Sequence, residues 1–175
     1  MNKKMNIVIV GLGNIGSYFY NYLRKNKSII FNKTNTIPNI LFISAKSANK
    51  KRSFPLPKKL WLKNFLSATK NKDVDIIVEL IGGAEGSAKK LVYEALKNKK
   101  HVITANKALV AKYGDQLSKI AEKNKVNFEF EAAVCGGIPI IRSIKEGLIA
   151  NKINKIYGIL NGTSNFILSS MDKEK

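Results

Sequence analysis

Three glycines at fixed spacing, in the run Gly11-Leu12-Gly13-Asn14-Ile15-Gly16, constrain this chain more than any other feature. They follow a β-branched apolar run, Ile7-Val8-Ile9-Val10. They precede a helical pattern in which Ile15, Tyr18, Phe19, Tyr22 and Leu23 fall at i, i+3, i+4, i+7 and i+8. Strand, glycine turn and amphipathic helix in that order open a βαβ unit, and G-x-G-x-x-G in that setting points to a dinucleotide-binding turn. The glycines permit a tight turn and close approach of the backbone to a pyrophosphate. The helix start supplies unpaired N–H groups and a partial positive charge. Gly11, Leu12, Gly13, Asn14, Ile15 and Gly16 are therefore the expected cofactor contacts.

The rest of the chain keeps alternating between strand-like and helix-like stretches, which predicts an α/β fold with a doubly wound, Rossmann-type parallel sheet. Strands are expected at Ile40–Ile43, Val74–Ile81, His101–Thr104, Phe128–Val134 and Lys152–Leu160. Helices are expected where Ala88, Leu91, Val92, Ala95 and Leu96 form one stripe, and where Leu117, Ile120 and Ala121 form another. Ile140, Ile141, Ile144 and Leu148 suggest a further helix behind Pro139, and a last one begins near Ser164. Residues 24–38 and 45–59 read as polar, lysine-rich loops, with Trp61 as a packing anchor after the second. The expected domains are a dinucleotide-binding unit over 1–135 and the opening elements of an α+β substrate domain over 136–175.

Lys and Arg total 31 against 12 Asp and Glu, a net charge of +19. The charge is spread along the chain, and lysine, asparagine and isoleucine are abundant together. Compositional drift explains that better than a selected nucleic-acid surface, so nucleic acid is not the expected partner. A positive field still attracts anionic ligands, dinucleotides included. No apolar run reaches the roughly 18–20 residues that span a bilayer. Cys135 is the single cysteine, which excludes a disulfide framework and fits a cytoplasmic protein.

Several positions can carry chemistry. After the second strand, where an acid would hold the ribose hydroxyls of NAD, the chain reads Ser44-Ala45-Lys46-Ser47 and then Lys50-Lys51-Arg52. Basic groups there suit a 2′-phosphate, so NADP(H) is favoured, with Lys46 as selector. Gly82 and Thr104 close strands at the edge where open α/β sheets bind ligands. Glu79 reads as a solvated or helix-facing acid without a catalytic part. Lys107 follows Thr104-Ala105-Asn106 at the same edge and could hydrogen-bond or protonate a substrate oxygen. Glu131 precedes Val134-Cys135-Gly136-Gly137-Ile138, where a carboxylate beside free carbonyls could hold a hard cation or the run could simply cross between domains. His101 is the only histidine, which excludes a histidine-based metal site and a Ser-His-Asp triad.

The segments GLGNIG, VELIGG, HVITANKALVA, EAAVCGGIPII and GILNGTSNFIL, in that order from about residue 5 to about 171, resemble the homoserine dehydrogenase family. The resemblance implies NAD(P)H-dependent reduction of L-aspartate 4-semialdehyde to L-homoserine, on the route to threonine and methionine. It implies that Lys107 is the active-site lysine. Glu131 with the carbonyls of Val134, Gly136 and Ile138 matches a site for Na⁺ or K⁺, and Asn161, Gly162 and Thr163 match the turn lining the substrate pocket. Lys46 matches a basic position for the cofactor phosphate. The family continues with acids for the substrate amine, a second lysine and a dimerisation sheet. This sequence reaches Lys175 without them. It therefore reads as a truncated member that binds cofactor, does not turn over alone, and lacks the segment that makes family members homodimers. A related semialdehyde dehydrogenase, or a non-catalytic dinucleotide- or nucleic-acid-binding module, remains open at this point.

Overall fold

In the computed structural model, residues 3–47, 50, 52, 54–158 and 162–173 are described, the side chains of 162–166 and 173 excepted. The chain divides into two units, Met1–Glu129 and Phe130–Lys175.

The first unit is built on five parallel strands: β1 (Lys3–Val10), β2 (Thr36–Ser44), β3 (Ile76–Glu79), β4 (His101–Thr104) and β5 (Phe128–Glu129). Their order is β2-β1-β3-β4-β5. The chain leaves β1 toward one edge and returns past it to build β3, so the order reverses between β1 and β3. That switch point opens a crevice beyond the carboxyl ends of the strands. The registers place Ser44, Val10, Glu79 and Thr104 in one row across four strands. Ile7, Val8, Ile9, Val10, Ile77, Val78 and Val102 are all buried, as expected of a parallel sheet covered on both faces.

Helix α1 (Asn14–Lys25) packs through Gly16, Tyr20 and Leu23. The expected stripe is borne out only in part: Leu23 is buried and Phe19 packs on the core, but Ile15, Tyr18 and Tyr22 are 62%, 71% and 46% exposed, and the two tyrosines stack on each other outside. The expected loop at 24–38 instead holds the end of α1, a second helix α2 (Lys27–Thr34) and the first residues of β2. Helix α2 buries no residue, so its hydropathy pattern carries no signal. It ends at Asn35, whose φ of 50° is the left-handed conformation asparagine tolerates. In the loop after β2, Phe54, Leu56, Leu60 and Trp61 pack against the core, and Trp61 pairs with Ile43 in an isolated bridge.

A short helix α3 (Ser67–Lys70) precedes β3. Helix α4 (Ser87–Lys97) buries the expected stripe of Ala88, Leu91, Val92, Ala95 and Leu96. Each large side chain buried there contributes about 1.5–3 kcal/mol. Helix α5 (Lys107–Asn124) lies beside α4, with Leu109, Leu117 and Ala121 buried, and ends at Lys125 in the left-handed region. No helix among the described residues is long and apolar enough to cross a membrane.

The second unit departs from its expected strands. The run expected to extend as far as Val134 stops pairing after Glu129 and continues as two 3-10 turns, Glu131–Ala133 and Cys135–Gly137. Amides of Ala133 and Val134 bond back to the carbonyls of Phe130 and Glu131, which closes a turn instead of a ladder. Cys135, Gly136 and Gly137 all have positive φ, which no strand accommodates. Helix α6 (Ile140–Arg142) runs on into a π turn, Ser143–Gly147. Residues 152–158 form no strand, while 159 and 160 lie outside the described residues. Helix α7 (Gly162–Lys173) follows.

Candidate dinucleotide site

The row Ser44, Val10, Glu79, Thr104 is the floor from which the site's loops emerge. The Gly11 amide donates to the Ser44 carbonyl at 2.8 Å, and the Leu80 amide to the Val10 carbonyl at 2.8 Å. The glycine turn therefore starts as the loops after β1 and β3 part company. The three glycines do different things. A Cβ at Gly11, where φ is +106°, would sit 2.4 Å from the Leu80 carbonyl oxygen. A Cβ at Gly16 would sit 2.0 Å from the Gly11 carbonyl oxygen. Those two are required by the protein's own backbone. A Cβ at Gly13 would meet nothing within 4 Å, so that position faces free space. Gly13 caps α1 without a side-chain bond, and no acid stands in the helix's first turn. The first amides of α1 are left for an outside acceptor.

This turn lies in an open cleft of about 750 Å³ that is also lined by Ser44, Ala45, Lys46, Ser47, Lys50, Arg52, Lys63, Ile81 and Ser87. Lys46, Lys50 and Lys63 are exposed. Arg52 is more constrained: its guanidinium donates to the carbonyls of Lys50 and Ser47, both at 2.9 Å, and stacks 5.2 Å from the Trp61 ring centre. A groove of about 710 Å³ on α1, lined by Tyr18, Tyr22 and Phe54 among others, is nearly as large. It contains no strand end, and the switch-point cleft is the one the sheet's topology supports.

Glu79 is fully buried, not solvated. One carboxylate oxygen accepts from the amides of Ile81 at 2.7 Å and Gly82 at 3.1 Å. The other accepts from the Thr104 hydroxyl at 2.6 Å. Thr104 in turn accepts from the Asn106 amide at 3.0 Å, and the Asn106 side chain donates to the Gly83 carbonyl at 2.6 Å. Its oxygen accepts from the Leu109 amide at 3.1 Å, capping α5. Residue patterning alone missed Glu79 and Asn106 as organisers of this edge. An acid in an otherwise apolar strand, next to a double glycine, was the available signal. Thr104's hydroxyl is committed to this network, so its backbone is the part left to meet a ligand. Lys107 is exposed as the first residue of α5.

Glu85 follows the glycine turn. Hydrogen bonding from Lys112 at 2.6 Å, with further bonds from the Tyr113 hydroxyl and Lys89, holds its carboxyl at about 2, below the ordinary 4.5. The group is exposed, so solvent screens most of what this adds to stability.

In the second unit, Glu131 accepts from the amides of Ile141 at 3.0 Å and Arg142 at 2.8 Å, so its carboxylate binds the start of the helix after Pro139. The Ile138 carbonyl accepts from the Ile140 amide at 2.8 Å. Val134 and Gly136 stand in the adjoining turns. Asn161 lies outside the described residues, and Gly162 and Thr163 open α7 with their side chains undescribed.

A family profile described as homoserine dehydrogenase, NAD binding domain, matches residues 11–131, and a second, described as homoserine dehydrogenase, matches 139–175. The chain is 45% identical over 169 residues to the homoserine dehydrogenase of Neisseria gonorrhoeae, covering 97% of this chain and 38% of that protein. It is 40% identical over 173 residues to the Bacillus subtilis enzyme of the same name, covering 99% and 40%. The crystal structure of a homoserine dehydrogenase from Thiobacillus denitrificans superposes with a TM-score of 0.83 at 41% identity, covering 98% of this chain and 39% of that one. The chain thus spans about two fifths of the length of the relatives it matches.

Proposed function

The chain belongs to the homoserine dehydrogenase family, and from that premise we propose that it binds NADP(H) in the switch-point cleft and supplies the cofactor half of the reduction of aspartate semialdehyde to homoserine. The observation that carries this reading is the division of labour among the glycines. Gly11 and Gly16 are packed where no Cβ fits, while Gly13 alone opens on free space beside the unsatisfied amides of α1. That is the shape a pyrophosphate needs: an approach without side chain and donors without partners.

The lining of the cleft suggests the cofactor's direction. Lys46 and Lys50 after β2, with Lys63, offer exposed ammonium groups to a 2′-phosphate, where an acid would have repelled it. Ile81, before the left-handed Gly82 and Gly83, lines it after β3, which suits the nicotinamide ribose. When bound, the cofactor supplies the hydride for the aldehyde carbon. Lys107, exposed at the start of α5, is the residue we assign to the substrate oxygen, by hydrogen bond or proton donation. Asn161, Gly162 and Thr163 are assigned to the substrate side on the resemblance alone.

Glu131 with the carbonyls of Val134, Gly136 and Ile138 remains the proposed ligand set for Na⁺ or K⁺. Each Glu131 oxygen already accepts one amide bond, so the site competes with a helix start and should bind weakly. A cytoplasmic setting, where the lone Cys135 stays a thiol, suits the same reading. The test is binding first: titrate NADPH and NADH into the purified chain, then assay homoserine oxidation with NADP. Micromolar NADPH affinity, tighter than NADH, supports the reading, and no measurable binding of either removes it.

A further inference from the structure

Glu79 is an odd residue for its place. It is fully buried in the row that contains Val10 and Ser44, on a strand whose other residues are Ile76, Ile77 and Val78. Taking a carboxylate out of water costs several kcal/mol, and an apolar side chain would serve the sheet at lower cost. Its bonds go to the turn beyond its strand and to its cross-strand partner. They run forward to the amides of Ile81 and Gly82 in the turn, and sideways to Thr104 at the end of β4.

The bonds close on themselves. Glu79 holds Ile81 and Gly82; the next residue, Gly83, has its carbonyl held by Asn106; the Asn106 amide donates to Thr104; and Thr104 donates back to Glu79. Inside this ring Gly82 and Gly83 take φ of 84° and 82°, with nothing within 4 Å of where a Cβ would stand. The turn is held from within and open on its outer side. The same ring caps α5, at whose first turn Lys107 stands.

We infer that Glu79 is a positioning residue that shapes the Ile81–Gly83 turn for the nicotinamide half of the cofactor and ties that turn to the start of the Lys107 helix. This rests on the dinucleotide reading above, and on the strand order β2-β1-β3, from whose ends Lys46, Gly13 and Ile81 of the cleft's lining emerge in turn. Glu79 touches no ligand itself. Its effect falls on one end of the cofactor and leaves the phosphate-selecting end alone, since Lys46, Lys50 and Lys63 have no bond to the ring.

The experiment compares two ligands on the purified chain. NADPH binding is followed by the nicotinamide emission, which reports the environment of that ring. Adenosine 2′,5′-bisphosphate, which lacks the nicotinamide half, is followed by calorimetry. Glu79→Gln keeps the size but faces Thr104 with a donor in place of an acceptor. It should weaken NADPH about tenfold and reduce its emission change, while the bisphosphate affinity stays within about twofold. Thr104→Val, which removes one hydroxyl, should reproduce that pattern, and Thr104→Ser should restore wild-type behaviour. If Glu79→Gln fails to fold, the Thr104 pair carries the test. Equal loss of both ligands, or loss of neither, overturns the inference and leaves the dinucleotide reading standing. A wild-type chain that binds neither ligand overturns both.

Discussion

The glycine turn yields a prediction in which two neighbouring substitutions of the same kind fail in opposite ways. Gly16→Ala places a methyl 2.0 Å from the Gly11 carbonyl oxygen. An ordinary carbon–oxygen contact needs about 3.3 Å, so the helix start and the turn must separate by roughly 1.3 Å. Both sides are backbone, and no rotamer relieves the clash. Overpacking of this kind costs about 3 kcal/mol, and alanine's helix preference returns about 1 kcal/mol. A net loss on the order of 2 kcal/mol should lower the melting temperature by about 4–8 °C. Gly13→Ala meets nothing within 4 Å, and its φ of −75° is open to any residue. The poorer helix cap costs up to about 1 kcal/mol, and the stiffer unfolded chain returns about 0.4–1 kcal/mol. Its melting temperature should stay near wild type, while NADPH binding weakens about tenfold or more as the methyl fills the pyrophosphate approach. Thermal melts by circular dichroism and NADPH titrations on both variants decide the matter. Gly13→Ala with wild-type affinity would place the ligand elsewhere. Gly16→Ala with a wild-type melt would show that the turn relaxes, and the argument from packing would fail.

Lys46→Ala should narrow the preference for NADPH over NADH about tenfold, the worth of one charge-assisted bond at a partly solvated phosphate; equal affinities in the wild type, or an unchanged ratio in the variant, would remove Lys46 as selector. In a chimera continued with the remaining segment of a full-length relative, Lys107→Ala should cut homoserine oxidation about a hundredfold or more with little change in melting temperature, because Lys107 is exposed; near-normal turnover would make it one more surface lysine. The Glu85 carboxyl is held at about 2 against an ordinary 4.5, so whatever it adds to stability is present above 4.5 and disappears as the pH falls toward 2. Its side-chain NMR titration should have a midpoint near 2 and move toward 4.5 in Lys112→Ala; a wild-type midpoint near 4.5 would contradict the contact. Leu91→Ala, at a fully buried position of α4, should cost about 2–5 kcal/mol in denaturant unfolding, and a loss under about 1 kcal/mol would mean the α4 face is not packed as described.

What the sequence made legible was decided by whether a feature is local. The glycine turn, the α4 stripe and the strand His101–Thr104 each follow from residues adjacent in the chain, and each stands where expected. The α1 stripe held at Phe19 and Leu23 but not at Ile15, Tyr18 and Tyr22, because hydropathy there competed with a stronger constraint. Gly16 must lie against the Gly11 carbonyl, and that contact sets the helix's rotation. Counting from Gly16, the inward positions i+4 and i+7 are Tyr20 and Leu23, which are the buried ones. The glycine that a motif requires marks the packed face more reliably than hydropathy does. Helix α2 and the first residues of β2 left no trace because neither buries a full apolar face; Asn39 and Asn6 meet there through their side chains at 2.7 Å. The strand expected as far as Val134 failed for the opposite reason, since apolar character there masked a 3-10 turn at Glu131–Ala133, whose two alanines carry no β-branched preference for a strand, and a second at Cys135–Gly137.

The candidate site divides along the same line. Every residue lining the cleft, and every member of the Glu79 ring, falls within Met1–Glu129, whereas Glu131 and its amide partners fall within Phe130–Lys175. Cofactor binding and the cation binding proposed for Glu131 should therefore respond to different substitutions. Glu131→Gln keeps the size at the helix start but replaces one of the two accepting oxygens with a donor and removes the charge; these changes stay within the second unit, so NADPH affinity should be unaffected. Gly13→Ala should do the reverse, weakening NADPH as above without touching the Ile141 and Arg142 amides. The physical basis is that the dinucleotide cradle is made of backbone: glycines without Cβ, amides without partners, and a turn pinned by a buried acid. Such a cradle needs only its own sheet to be rigid, so the sequence features that announce it are concentrated in strand ends and the first turn of a helix. Substrate chemistry asks more. It needs a charged side chain such as Lys107 held against a small polar molecule, and the position of an exposed lysine is set by what packs around it, not by its own strand.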